Sequence, residues 1–256
     1  MATYKKRGYK PKNKVEEVEV TEENSTTAEV FNTLDEGASK TEEWVAANQK
    51  YILGGVAVIA VVILGYLAFQ KFIQAPKEQE AANEMFRAQQ YFENAVNGNS
   101  AVRDSLYTLA LNGGDGKYGF LEIIENYGGT KAANLANYYA GFSYLNTNKY
   151  QQAIDYLDDF KSDDEMLGPL ALGGIGDAFS QLGQVDEALG YYEKASKAKV
   201  NDFTTPKFLL KAAIIAISLK KSDIAVTYLE RIKNEFPKSV EANQVDVHLG
   251  QANAMQ

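Results

Sequence analysis

The sequence predicts an all-α chain: a single N-terminal transmembrane helix, followed by an α-solenoid of helix-turn-helix units. Three observations carry that prediction. Residues 51–69, YILGGVAVIAVVILGYLAF, are nineteen uncharged positions closed off by Lys50 and Lys71. From residue 130 onward a small residue followed twelve positions later by Ala recurs, with copies offset by 35 and 37 residues. Polar breaks at 146–149, 183–186 and 220–223 then divide each copy into two halves of helical length.

The apolar stretch comes first. At roughly 1.5 Å rise per residue it spans about 28 Å as a helix, against ~30 Å of bilayer hydrocarbon. Within lipid a lone segment satisfies its backbone polar groups only as a helix. Trp44, Tyr51 and Tyr66 stand near its two ends, where amphipathic rings favour the interface. A helix apolar on every side could otherwise sit only inside a large soluble protein, and this chain has 256 residues. Some fifty mostly polar residues precede it and no A-x-A-like site follows it, so a cleaved signal peptide is not expected.

Composition narrows the function classes. Lys plus Arg is 26 against 34 Asp plus Glu; residues 1–50 hold 8 basic and 10 acidic groups, leaving 18 against 24 afterwards. A mildly acidic domain is not built to wrap nucleic acid. The chain has no Cys and one His, His248, which excludes disulfides, thiolate metal sites and a His-rich metal site.

Residues 1–38 read as a disordered cytoplasmic tail: Lys5, Lys6, Arg7, Lys10, Lys12 and Lys14 come first, then an acidic, Ser/Thr-containing stretch too polar to offset its ordering entropy. The basic cluster is either a solvated tail or a contact for anionic lipid or the ribosome. Ser39 or Thr41, followed by Glu42 and Glu43, looks like a helix start, so 39–73 is taken as juxtamembrane and transmembrane helix. Flanking charges are nearly tied, and the remote basic cluster together with the large C-terminal part favours a cytoplasmic N-terminus and an external C-terminal domain. Gly54, Ala57, Val61, Gly65 and Ala68 fall within roughly 80° of one another on the span. Such a small-residue stripe is either a helix-docking face or a by-product of span composition.

Residues 76–129 form an atypical first helical unit. Pro76 can open a helix carrying Ala81, Met85, Ala88, Phe92 and Ala95. A Gly-rich insertion at 112–119 contains Gly114, Gly116 and Gly119 in a G-x-G-x-x-G spacing. That spacing cradles a pyrophosphate only within a strand–turn–helix–strand unit, and the segment that follows is Ala-rich and helical. A phosphate loop fails as well, because Leu111 replaces its first Gly and Tyr118 follows Lys117.

Residues 130–238 hold the three regular units. The small/Ala pairs are Gly141/Ala153, Gly176/Ala188 and Ala213/Ala225, with Leu157, Tyr192 and Leu229 each four residues beyond the Ala. A helical hairpin repeating at about 34 residues resembles the tetratricopeptide repeat. Residues 239–256 supply a weakly apolar capping helix, which a repeat stack needs at its end.

One span, a basic tail before it and repeats after it make the chain resemble the YfgM-like bacterial inner-membrane proteins. The segments NYGGTKAANLANYYAGFSYL, GDAFSQLGQVDEALGYYEKA and FTTPKFLLKA are similar to the Bacteroidetes versions. That resemblance implies an ancillary subunit of the SecYEG translocon in the inner membrane. Its periplasmic domain would meet secretory polypeptides or periplasmic chaperones.

No constellation of base, nucleophile and orienting group stands out, and the acidic runs Asp158–Asp159 and Asp163–Asp164–Glu165 lack the spacing of a calcium loop. No enzymatic activity and no cofactor are expected. The first helices of the units should present a concave client groove lined by Tyr138, Phe142 and Leu145, then Asp177 and Ser180, then Leu210, Ile214 and Ile217. Either a peptide or amphipathic helix occupies it, or segment 76–97 of the same chain does. A structural tether that binds no client is the competing function.

Overall fold

A computed structural model describes residues 26–255. It divides into two compact units that meet between Leu67 and Ala68. Among the described residues eleven α-helices and one π-turn are present, and the only strand-like feature is an isolated bridge between Gly114 and Lys117.

The first unit contains most of α1 (Thr26–Phe69). Leu53, Val58, Ile59, Val61, Val62 and Leu64 are all exposed, and no part of the most apolar window is covered by protein. The helix is long and apolar enough to cross a membrane. Two expectations change here. Helix is already present at Thr26, so 26–38 is helical, while 1–25 lies outside the described residues. Ser39 and Thr41 lie inside α1 and start nothing. Extending a formed helix adds a hydrogen bond per residue without a second nucleation cost, so a stable span carries weaker neighbours with it.

The second unit opens on a π-turn, Gln70–Gln74, in which the Ala75 N–H donates to the Gln70 carbonyl. It runs directly into α2 (Ala75–Asn97), with Pro76 in the first turn. Proline has no N–H and its ring clashes with the carbonyl four residues back. A wider turn just ahead of it relieves that conflict.

Then follow α3 (Ser100–Asn112), α4 (Phe120–Asn126), α5 (Lys131–Asn146), α6 (Tyr150–Asp159), α7 (Leu167–Gln181), α8 (Val185–Ala198), α9 (Thr204–Ser218), α10 (Ser222–Glu235) and α11 (Ala242–Asn253). From α5 onward each helix packs on the next, and α5, α7, α9 and α11 form a second series of neighbours. No contact joins α5 to α9 or α7 to α11. That is a solenoid, in which each hairpin meets only the adjoining ones.

The repeated small residues sit where the hairpins close. A Cβ on Gly141 would lie 2.5 Å from Leu157 Cγ, and one on Gly176 would lie 2.7 Å from Tyr192 Cε1. Ala213 and Leu229 share one buried cluster in the third hairpin. The turns repeat too. Asn148, Gly183 and Lys220 occupy equivalent places with φ of 60°, 74° and 58°. The next N–H of each turn (Lys149, Gln184, Lys221) donates to the carbonyl of Tyr144, Phe179 or Ala216 at 2.9 Å, a six-to-one closure that satisfies helix-end carbonyls.

The helices ahead of the regular repeats pack differently. α2, α3, α4 and α5 share one core of Met85, Ala88, Ala110, Leu111, Phe120, Ile123 and Ala136. The Gly-rich insertion is a tight turn between α3 and α4, with Gly113, Asp115 and Gly116 at positive φ. It is pinned to α2: Tyr91 Oη donates to Asp115 Oδ2 at 2.8 Å, and Arg87 Nη2 reaches the same oxygen at 3.1 Å. The Tyr91 hydrogen bond, followed by that of Arg87, holds the Asp115 carboxyl below its ordinary range.

Candidate binding face

The face presented by α5, α7 and α9 is built by one rule applied three times. The small residue and the closing aromatic or Leu turn one side of each helix toward its own hairpin partner, so the residues one position beyond the small one stand about 100° further round, flanking that contact. These are Phe142, Asp177 and Ile214.

On α5, Tyr138 and Phe142 are half-buried, with ring centroids 4.7 Å apart, and Tyr138 lies 5.1 Å from the Phe160 ring. Burial, assisted by Tyr139 and Asp164, pushes the Tyr138 hydroxyl up to about 12. Phe142 leans on α7, where a Cβ on Gly174 would be 3.0 Å from its Cζ. Both rings therefore join α5 to its neighbours and present only part of their surface. Phe92 and Val96 of α2, with Tyr138, Phe142 and Arg103, line a cavity of about 350 Å³ beside them. α2 meets α5 and makes no contact with α7 or α9, so it belongs to the stack and leaves most of the face uncovered.

The middle of the face is polar. Asp177 Oδ1 accepts from Tyr192 Oη at 2.6 Å and from Lys211 Nζ at 2.5 Å, and Lys211 lies 5.5 Å over the Tyr192 ring. Burial, then the neighbouring Asp177 carboxylate, raises the Tyr192 hydroxyl above its ordinary value and keeps it protonated. Leu145, Asn146, Ser180 and Gln181 complete a cavity of about 450 Å³ around this network.

On α9, Ile214 is 42% exposed and Ile217 is half-buried. Leu210 is 7% exposed and does not line the face. It packs in a cluster with Leu229, Ile232, Phe236 and Val245, because both α10 and α11 lie against α9. The accessible apolar surface is thus Leu145 at one end and Ile214 with Ile217 at the other, divided by the Asp177 network.

From sequence, Tyr192 is placed only as a packing residue and Lys211 is not singled out. Their signal was present: Asp177 and Lys211 are 34 residues apart and Asp186 and Lys221 are 35 apart, so opposite charges recur at one repeat length and bond across hairpins.

Family models described as tetratricopeptide repeats match residues 135–164, 171–207 and 208–239. Those ranges contain most of α5–α6, α7–α8 and α9–α10 in turn. Residues 135–239 are tetratricopeptide repeats. No curated protein matches the chain. A stack of such repeats is a protein–protein interaction module. Within the acidic run 163–165, Asp164 Oδ1 accepts from Met166 N and Leu167 N at 2.8 Å and ties down the start of α7. The Gly54, Ala57, Val61, Gly65 and Ala68 stripe is exposed, with nothing within 4 Å of where a Cβ on Gly54 or Gly65 would stand.

Proposed function

We propose that the chain is a membrane-anchored repeat protein that binds polypeptide on the α5–α7–α9 face, as an ancillary subunit of the SecYEG translocon. The observation that carries the binding role is the uncovered face itself, with apolar contacts at Leu145, Ile214 and Ile217 around a fixed Asp177–Lys211 pair. Such a mixed surface suits an amphipathic helix or an extended peptide. Two client classes fit, emerging secretory polypeptides and periplasmic chaperones. The anchor is α1, with the N-terminus cytoplasmic, the repeats periplasmic, and the Gly54–Ala57–Val61–Gly65–Ala68 stripe as the face for a translocon helix. The translocon assignment rests on the family resemblance given above.

Photo-crosslinkers placed singly at Ile214, at Val61 and at Asp155 test this reading in the full-length chain in its membrane. Position 214 should give products with a polypeptide client, position 61 with a translocon subunit, and the exposed Asp155 on α6 with neither. Equal products from 214 and 155 would refute the face. Absence of a translocon product from 61 would remove the stripe from the proposal.

A further inference from the structure

The cavity beside the α5 end of the binding face differs in chemistry from three others in the second unit. Four rings, those of Phe92, Tyr107, Tyr138 and Phe142, line its volume of about 350 Å³. Arg103 is the one charged residue in its wall, and no carboxylate lines it. The cavities around Lys161, around Asp177 and around Phe236 each combine carboxylate with lysine.

The rings are in place before anything binds. Phe92 packs edge-on to Tyr107 at 5.6 Å and to Tyr139 at 5.0 Å, and Tyr107 is 2% exposed. Val96, also in the wall, is 53% exposed and marks the open side. Arg103 stands one turn before Tyr107 on α3. Burial raises the Tyr107 hydroxyl above its ordinary value, and the Arg103 charge opposes that shift. Arg103 Nη2 donates to the Gly98 carbonyl at 3.2 Å, and the guanidinium pairs with no carboxylate among the described residues. A fork of five N–H donors therefore has capacity left for an acceptor from outside. The cavity also continues the face: Asn146, at the end of α5, lines both it and the cavity around Asp177 and Lys211.

We infer that this cavity anchors the client by one large apolar side chain, with a neighbouring carboxylate of the client on Arg103. The occupant is an internal segment of polypeptide in which Phe or Leu stands beside Glu or Asp. A volume near the bottom of the roughly 300–1,000 Å³ of ligand pockets takes one large side chain and excludes a helix. Ring faces and edges favour another ring. An unpaired guanidinium favours a carboxylate over an amide or a cation. Continuity through Asn146 lets the chain run on toward Asp177, which an internal segment does and a chain end does not. The inference rests on the polypeptide-binding reading of the α5–α7–α9 face.

The test uses the full-length chain in phosphatidylcholine vesicles, with a photo-crosslinker at Val96 or at Ile214, both exposed. The probe is reduced, carboxymethylated α-lactalbumin, a permanently unfolded polypeptide. Adducts should form from both positions. The octapeptide Ser-Gly-Ser-Phe-Glu-Ser-Gly-Ser should suppress the adduct at 96, and its Phe-Gln counterpart should need about fivefold more. The Ala-Glu counterpart should not compete. Arg103→Gln should erase the difference between the Glu and Gln peptides, and Arg103→Lys should retain it. Arg103 is exposed, so neither change should unfold the chain. If the adduct at 214 forms, octapeptides that compete equally, or an adduct from 96 to a second copy of the chain, overturn the inference alone. No adduct at 214 overturns the client face and this inference together.

Discussion

Glycine to alanine at two positions of the solenoid should have opposite effects, and the sizes follow from contacts. Gly173 lies on α7 facing α9, where an ideal Cβ would stand 1.9 Å from Phe208 Cε1 and 2.1 Å from Cζ. Carbon atoms pack at about 3.5–4 Å, so the ring must retreat by more than 1 Å. Phe208 is 2% exposed and stacks at 6.4 Å on Tyr192, itself buried, so it has little room. Overpacking of this kind costs about 1–3 kcal/mol, and so severe an overlap belongs at the upper end. Alanine returns about 1 kcal/mol of helix propensity, leaving a net loss of about 2 kcal/mol for Gly173→Ala. Gly190 on α8 has nothing within 4 Å of its Cβ position, so Gly190→Ala keeps only the propensity gain of up to about 1 kcal/mol. For a domain of this size that is about 4–8 °C lower for the first and about 2–4 °C higher for the second. Melting of the full-length chain in mild detergent, followed by near-ultraviolet circular dichroism of the packed aromatics, measures both. Adding Phe208→Leu to Gly173→Ala should recover part of the loss, with a non-additive term within about 0.5–3 kcal/mol. Shifts of the same sign at 173 and 190 would show that the approach of α7 to α9 does not limit position 173.

Two further outcomes concern the α4–α5 corner and the pinned turn. Thr130 is buried; its hydroxyl accepts from Ala133 N at 3.0 Å and donates to the Tyr127 carbonyl at 2.8 Å, so Thr130→Ala should cost about 1–2 kcal/mol and Thr130→Ser far less, read by denaturant midpoint. Asp115 titrates below its ordinary 3.8, so its contribution is complete above that pH and is lost as pH falls through the lower folded value. Amide exchange at residues 113–116 should accelerate only in that acid range, and Tyr91→Phe should move the onset to higher pH. An onset unmoved by Tyr91→Phe would show that the hydroxyl is not what holds the carboxylate.

The closing positions of the hairpins were legible because packing there tolerates one size. Gly141, Gly176 and Ala213 recur with Leu157, Tyr192 and Leu229 at fixed distances, and the structure brings each pair together. The span was legible from the lack of charge over 51–69. Surface on the face was harder to read, because exposure depends on what stacks next. Leu210 and Ile214 stand four residues apart on one helix, yet the cluster made with α10 and α11 buries the first and leaves the second open. The start of α1 was hidden for a different reason. A polar segment has no helical periodicity of its own, and its state at 26–38 follows from the helix it joins.

Among the described helices the stack is braced unevenly, and that gives failure a direction. α11 is held by α9 and α10 alone, whereas α2, α3, α4 and α5 brace one another in every pairing. Fraying should begin at α11 and move inward hairpin by hairpin, since no helix beyond its neighbours holds it in place. A lesion in α9 or α10 would strip the distal hairpin and spare the braced helices nearest the span in sequence. On the function proposed above, client binding would then fail while α2–α5 stayed folded.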